Sequence, residues 1–164
     1  MRKSIYAFTA LAIILSAPAH ARDSLGIFSD WGAFRDPAVP RCYAIAKPRP
    51  STLSRDYDPF TTIGSWPSRN VRRQVHFRLS REMAKNTRIT LRMIGKSFDL
   101  AGGGGDAWAK DPAMDAAIVA AIRSAGSMTI GARDKSGRRF SNTYDLSGAA
   151  TAMDAASVGC ARLK

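Results

Sequence analysis

Few side chains in this sequence are of types that transfer protons, attack electrophiles or ligate metals, and their spacing is the first constraint on function. There are two histidines. His20 lies in an apolar leader described below, so a Ser-His-Asp arrangement would have to use His76. No Gly-x-Ser-x-Gly elbow accompanies it, and His76 alternates with arginines, which suits an exposed strand position. One histidine and two cysteines do not supply the usual nitrogen and sulfur ligands, so neither a metal nor a cofactor is expected. Asp106, Asp111 and Asp115 are candidates for paired-carboxylate hydrolysis. However, Asp111-Pro112 reads as a helix N-cap with proline at the first helical position. Asp115 then falls in the first turn, where negative charge suits the helix dipole. The run Gly102 to Gly105 ahead of that helix invites a phosphate-loop reading. No Gly-Lys-Ser/Thr follows, and Asp106 would repel phosphate, so a flexible connection is the simpler expectation. No catalytic residue is assigned, and a hydrolase is the least favoured reading.

The charge pattern is more specific. The chain carries a net charge of +12, which attracts anionic partners but is silent on fold. Between residues 72 and 96 the cations are Arg72, Arg73, Arg78, Arg81, Lys85, Arg88, Arg92 and Lys96, against the single acid Glu82. At period two, Val71, Val75, Phe77 and Leu79 share one face of a strand, and Arg72, Gln74, His76 and Arg78 share the other. Arg73 is the exception, falling on the apolar side. Ile89, Leu91 and Met93 likewise oppose Arg88, Thr90 and Arg92. Joined by residues 80–86, the two runs predict an antiparallel hairpin. Arg72, His76, Arg78, Arg88 and Arg92 are then candidate anion-binding residues on one outward face. Guanidinium forks grip phosphate and carboxylate bidentately, and like charges set side by side are unfavourable without a counter-ion. The expected partner is an anionic envelope component or a protein. Nucleic acid is electrostatically possible, but export and the lack of interleaved aromatics argue against it. The alternative docking surface is Trp66 with the proline-rich stretch 47–69.

The expectation of export comes from the first 21 residues. Arg2 and Lys3 precede an apolar run from Ile5 to Leu15, and Ala19-His20-Ala21 is a small-x-small cleavage site. Together these read as a signal peptide, with an apolar run too short to span a bilayer. Residues 22–164 then form a single periplasmic or secreted domain without a transmembrane segment. Cys42 and Cys160 both follow the leader, and an oxidising compartment favours pairing them. Closing a loop of about 100 residues is worth up to ~4.7 kcal/mol in the chain-entropy model.

Strands are expected at 42–46, 71–79, 88–94, 97–100, 128–133 and 138–146, with a further short one around 61–66. Helices are expected from Pro112 to a Gly126 cap and from Gly148 to about Ala156. Residues 22–35 are short apolar pieces broken by Gly and Asp. Strands with helices to one side predict an α+β domain around a mainly antiparallel sheet, sandwich-like or a half-barrel, with two short helices.

Three signals occur in order. Asp30-Trp31 sits in an SDWG segment ahead of Cys42. An apolar strand pair leads into Ala107-Trp108 and an alanine-rich helix. Ser127-Met128-Thr129-Ile130 and a glycine turn then precede Asp145-Leu146-Ser147-Gly148 and a C-terminal cysteine. This pattern resembles the invasion-associated locus B family of exported proteobacterial proteins, over most of the chain beyond the leader but not residues 47–69. The resemblance implies a small periplasmic or secreted domain, with some members linked to host-cell invasion. It implies no reaction and no catalytic residues.

Overall fold

Period-two alternation sets most of the strands, and burial of one sheet face decides how they are covered. The computed structural model describes residues 22–161, so the expected signal peptide lies outside the described residues. Ten strands are formed: β1 (Asp23–Phe28), β2 (Trp31–Asp36), β3 (Arg41–Ala46), β4 (Phe60–Trp66), β5 (Val71–Arg78), β6 (Ile89–Met93), β7 (Lys96–Gly103), β8 (Asp106–Trp108), β9 (Ser127–Arg133) and β10 (Arg139–Asp145). They make one open antiparallel sheet in the order β1-β2-β3-β4-β5-β8-β7-β6-β9-β10. Helix α1 (Pro112–Ile122) packs on β5, and α2 (Ala149–Cys160) covers β1 to β4. The architecture is therefore the expected α+β, mainly antiparallel one. The inward side chains form one core that includes Trp31, Phe77, Leu91, Ile130, Tyr144 and Met153, all essentially inaccessible to solvent. The sheet curls until the β1–β2 turn meets the end of β10. There Trp31 Nε1 donates to the Asp145 carbonyl (2.8 Å), and Ser29 and Ser147 hydroxyls are 3.2 Å apart.

Both helices begin as the sequence indicates. The Asp111 carboxylate accepts from Met114 N at 2.7 Å, with Pro112 next in the chain. The C-terminal cap of α1 is Arg123 rather than Gly126, whose carbonyl accepts instead from Leu146 N. Helix α2 runs past Ala156 to Cys160. Its end meets β3, where Cys160 and Cys42 are bonded with Cα atoms 5.5 Å apart across a sequence separation of 118.

Three further expectations are corrected. Residues 22–35, broken by Gly and Asp, nevertheless form β1 and β2. Gly26 absorbs a bulge with φ at +134°, and Gly32 lies beneath the Phe34 ring, where a Cβ would sit 2.6 Å from the ring edge. The proposed hairpin of residues 71–79 with 88–94 does not exist. β5 pairs with β4 and β8, whereas β6 pairs with β7 and β9. The reason lies in the glycine run, which is a tight β7–β8 turn rather than a flexible connection. A Cβ on Gly102 would stand 2.2 Å from the Asp106 carbonyl oxygen, one on Gly105 would stand 2.4 Å from the Tyr57 ring, and Gly104 has φ at +61°. The turn also holds the connection after β5, because Leu79 N donates to Gly105 O (2.7 Å) and Met83 N to Gly104 O (2.6 Å). That connection crosses over the turn and delivers the chain to β6 on the far side of β7.

The disulfide joins elements far apart in sequence, so its loss should act chiefly through the unfolded chain. Replacing both Cys42 and Cys160 by Ala is expected to lower unfolding free energy by about 2–5 kcal/mol. Urea titration followed by circular dichroism would read this as a lower midpoint.

Candidate functional site

The five residues expected to share a basic face are divided among three places. A bulge in β5 separates the first from the rest. Gly64 pairs with Gln74 but Trp66 pairs with Val71, so β5 carries one residue more than β4 over this interval. Arg73 takes the extra turn at φ +51°, and its N–H donates to Ser65 Oγ at 3.0 Å. This accounts for Arg73 breaking the alternation. It also turns Arg72 toward α1, where it lines a cleft with Pro112, Ala116 and Arg123, away from His76 and Arg78.

His76 and Arg78 stay on the outward face, but β8 supplies their counter-ion. Asp106 stands between them, with Oδ1 2.9 Å from His76 Nε2 and Oδ2 accepting from Arg78 Nη1 at 2.7 Å. His76 stacks on Trp108 (centroids 5.1 Å) and receives the edge of Phe60 (5.7 Å). The Arg78 guanidinium lies over Tyr57 at 4.7 Å. Asp106 and His76 form a pair, yet among the described residues no serine, threonine or cysteine side chain is hydrogen-bonded to that imidazole. The other two candidate carboxylates also have structural partners. Asp111 is the α1 cap, and Asp115 is buried against β5, accepting from Val75 N at 2.8 Å. β8 reaches only as far as Trp108, opposite His76, so Val75 N–H has no strand partner on that side. Burial raises the Asp115 carboxyl above its ordinary range, an effect opposed by the Val75 bond and reinforced by Asp111.

Arg88 and Arg92 remain together, in different company. β6 lies between β7 and β9, with Thr90 opposite Gly131 and Arg92 opposite Thr129. In β9 and β10, Arg133 is directly opposite Arg139, Gly131 opposite Ser141 and Thr129 opposite Thr143. The inward positions of these strands are apolar (Ile89, Leu91 and Met93, Met128 and Ile130, Phe140 and Tyr144) except for buried Asn142, whose Oδ1 accepts from Ser80 N at 3.0 Å. The outward positions line a groove of about 660 Å³ that includes Arg88, Thr90, Arg92, Thr129, Arg133 and Arg139. Its hydroxyls are linked across strands, with Thr129 and Thr143 Oγ1 atoms 2.9 Å apart. Two acids stand on this side of the sheet: Asp99, which grips Arg88 through both oxygens, and Asp145 at the end of β10, which is held by Arg49. The Arg88 hydrogen bond holds the Asp99 carboxyl below the ordinary carboxylate range and raises Arg88 in turn. Arg133 Nη1 donates to the Gly137 carbonyl (2.7 Å). Among the described residues, Arg92, Arg133 and Arg139 have no carboxylate within ion-pair distance.

Sequence reasoning missed Arg133 and Arg139. The signal was present, because Thr129, Gly131 and Arg133 alternate with Met128, Ile130 and Ala132, as Arg139, Ser141 and Thr143 do with Phe140, Asn142 and Tyr144. The proline-rich stretch is tied down rather than extended. Arg49 N donates to Thr143 O at 2.7 Å, the Arg49 guanidinium pairs with Asp145, and Arg81 holds the Ser54 carbonyl. Trp66 folds over Gly64, where a Cβ would lie 2.8 Å from the indole. Among the described residues there is no His/Cys/Asp/Glu cluster suited to a metal, and no helix is long and apolar enough to cross a membrane. Comparison with family models, curated proteins and solved structures finds no match to this chain.

The Asp115–Val75 bond separates a structural carboxylate from a reactive one. Asp115→Ala would orphan a buried N–H and is expected to destabilise by about 1–3 kcal/mol, whereas Asp115→Asn keeps an acceptor. Because the folded carboxyl is raised, folding binds more protons than the unfolded chain does. Its unfavourable contribution therefore grows as pH rises from the unfolded value, ~3.9, through the folded one. Urea midpoints across that interval should fall with pH in the wild type and lose this component in Asp115→Asn.

Proposed function

We propose that the protein is an exported, disulfide-stapled binding domain that takes an anionic envelope component on the outward face of β6, β9 and β10. This face replaces the basic hairpin expected from sequence. It keeps Arg88 and Arg92, adds Arg133 and Arg139, and leaves out Arg72, His76 and Arg78.

The observation that carries the reading is the cross-strand Arg133–Arg139 pair, in line with Arg88 of β6, with Arg92 four residues further along the same groove and Asp99 as the local acid. Like charges directly opposite each other in a sheet are destabilising. A bound anion relieves that repulsion, and planar guanidinium forks are suited to carboxylate, phosphate and sulfate groups. The candidates in an envelope compartment are phospholipid headgroups, lipopolysaccharide phosphates and acidic glycans. The leader sequence, the Cys42–Cys160 bond and the resemblance to the invasion-associated locus B family support a periplasmic or secreted location. They also leave room for a part in host interaction. The side chains within reach of Asp106, Asp111 and Asp115 support binding rather than hydrolysis.

Immobilised heparin is a suitable first probe. Changing Arg92, Arg133 and Arg139 together to Ser is expected to weaken binding tenfold or more, about 1.4 kcal/mol, while Arg72→Ser leaves it unchanged. Retention of wild-type affinity by the triple variant would remove the reading. Asp99→Asn releases Arg88 and should raise the salt concentration needed for elution. The same release should occur on acidification. The ion pair stabilises the fold above the unfolded carboxylate pKa, ~3.9, and that contribution is lost as pH falls through the depressed folded value. Heparin affinity measured over this window should rise as Asp99 protonates.

A further inference from the structure

The register of the outward face carries the anion reading one step further. His76 is opposite Trp108 and Trp108 is opposite Ala101. The β7–β6 ladder, with Ile89 opposite Leu100, brings Arg88 opposite Ala101 at its next position. The β6–β9 ladder, with Thr90 opposite Gly131, likewise brings Arg88 to Arg133, and Arg133 is opposite Arg139. Arg133 N donating to Thr87 Oγ1 at 3.3 Å supports that extension. One transverse row therefore reads His76, Trp108, Ala101, Arg88, Arg133, Arg139 across six neighbouring strands.

Trp108 is the aromatic group of this row, and it is 37% exposed. One side of its indole is braced by His76, which Asp106 and Phe60 hold in turn. On the other side lie Ala101 and Gly103, both exposed and with almost no side chain. This leaves a shallow ledge between the indole and Arg88, two strand spacings wide, or about 10 Å. An indole face is electron-rich and attracts C–H groups polarised by neighbouring oxygens, as on the apolar face of a sugar ring. Beyond the ledge come the guanidinium groups, interspersed with the hydroxyls of Thr90, Thr129 and Ser141.

We infer that the ligand is an acidic glycan, a chain of uronic or sulfated sugars. It would lie along this row with one ring against Trp108 and its acidic groups on Arg133 and Arg139, passing Arg88, which Asp99 already holds. This rests on the anion-binding reading above and names the class of anion. A flat membrane surface would leave the hydroxyl ladder unused, and at the arginine end of the sheet it would be met by the single exposed side chain of Ile94 after β6 rather than by an apolar rim. A single-stranded nucleic acid is gripped by successive aromatic platforms, whereas here one indole offers a face, since Phe60 and His76 are packed into each other.

The test is calorimetric titration of the mature chain with a heparin hexasaccharide. Inorganic polyphosphate, a single-stranded oligonucleotide and phosphatidylglycerol vesicles serve as comparison ligands. The hexasaccharide should bind most tightly. Trp108→Ala should weaken it about five- to tenfold, in line with an aromatic contact, with partial recovery in Trp108→Phe. Polyphosphate affinity should be unchanged in both variants. A Trp108→Ala protein that keeps hexasaccharide affinity, while the arginine triple variant loses it, overturns the glycan assignment and leaves anion binding standing. Tighter binding of the oligonucleotide or the vesicles than of the hexasaccharide also overturns it. Failure of every anion to bind removes the underlying reading together with this one. Unchanged thermal unfolding of Trp108→Ala confirms that a loss reflects the ligand rather than the fold.

Discussion

The turn at residues 102–105 is the constraint on which the arrangement of charge depends. It closes only because glycines occupy it: one position sits against a backbone oxygen, one against the Tyr57 ring, and one has positive φ. A side chain at Gly102 would push β8 off β7, one at Gly105 would displace Tyr57, and one at Gly104 would have room but a strained backbone. With the turn closed, β8 fits between β7 and β5, and the two basic strands that are neighbours in sequence end up three strands apart. Everything on the outward face is sorted by that insertion. On one side of it lie His76 and Arg78 with Asp106 as their counter-ion. On the other lie Arg88 and Arg92, beside the arginines of β9 and β10.

The sorting explains why a strongly basic chain does not present its charge evenly. Many of its cations are held by carboxylates: Arg35 by Asp23, Arg78 by Asp106, Arg123 by Asp154 and Lys135 by Glu82. Such exposed pairs contribute little stability individually, but each removes a cation from the field a ligand would meet. Positive charge without a carboxylate partner remains on β6, β9 and β10, at Arg92, Arg133 and Arg139. Net charge alone would not have distinguished these places from the rest of the surface.

Much of this architecture was legible in the residues, and the limits were physical. The α1 start could be read from Asp111-Pro112, the β9–β10 hairpin from two alternating runs around Asp134 to Gly137, and the disulfide from two cysteines in a chain whose first residues predict export. Alternation correctly gave the inward faces of β6 and of β5 from Val75 onward, though not of Val71 beyond the bulge, because period two reports which side of a sheet a residue meets. It carries no information about which strand lies alongside, and so the hairpin expectation failed. β8 is three residues long, too short for any periodic signal, yet it is the strand that separates them. β1 and β2 were obscured because glycines under Phe28 and Phe34 look like turn residues, although the aromatic rings cover them. The bulge at Arg73 left a trace in the sequence as an arginine on the wrong side, without revealing that the strand beyond it changes face.

The two rims of the open sheet are unlike each other, and this bears on how the molecule behaves when concentrated. At β10 the backbone is already occupied by the segment around Arg49, flanked by Pro48 and Pro50, whose rings cannot donate to a further ladder. At β1 the rim is open but kinked between Ser24 and Gly26. An incoming strand would find a short and broken template there. A sheet of ten strands invites end-to-end polymerisation into fibrils, and this one obstructs it at one end by a proline-flanked plug and at the other by a bend.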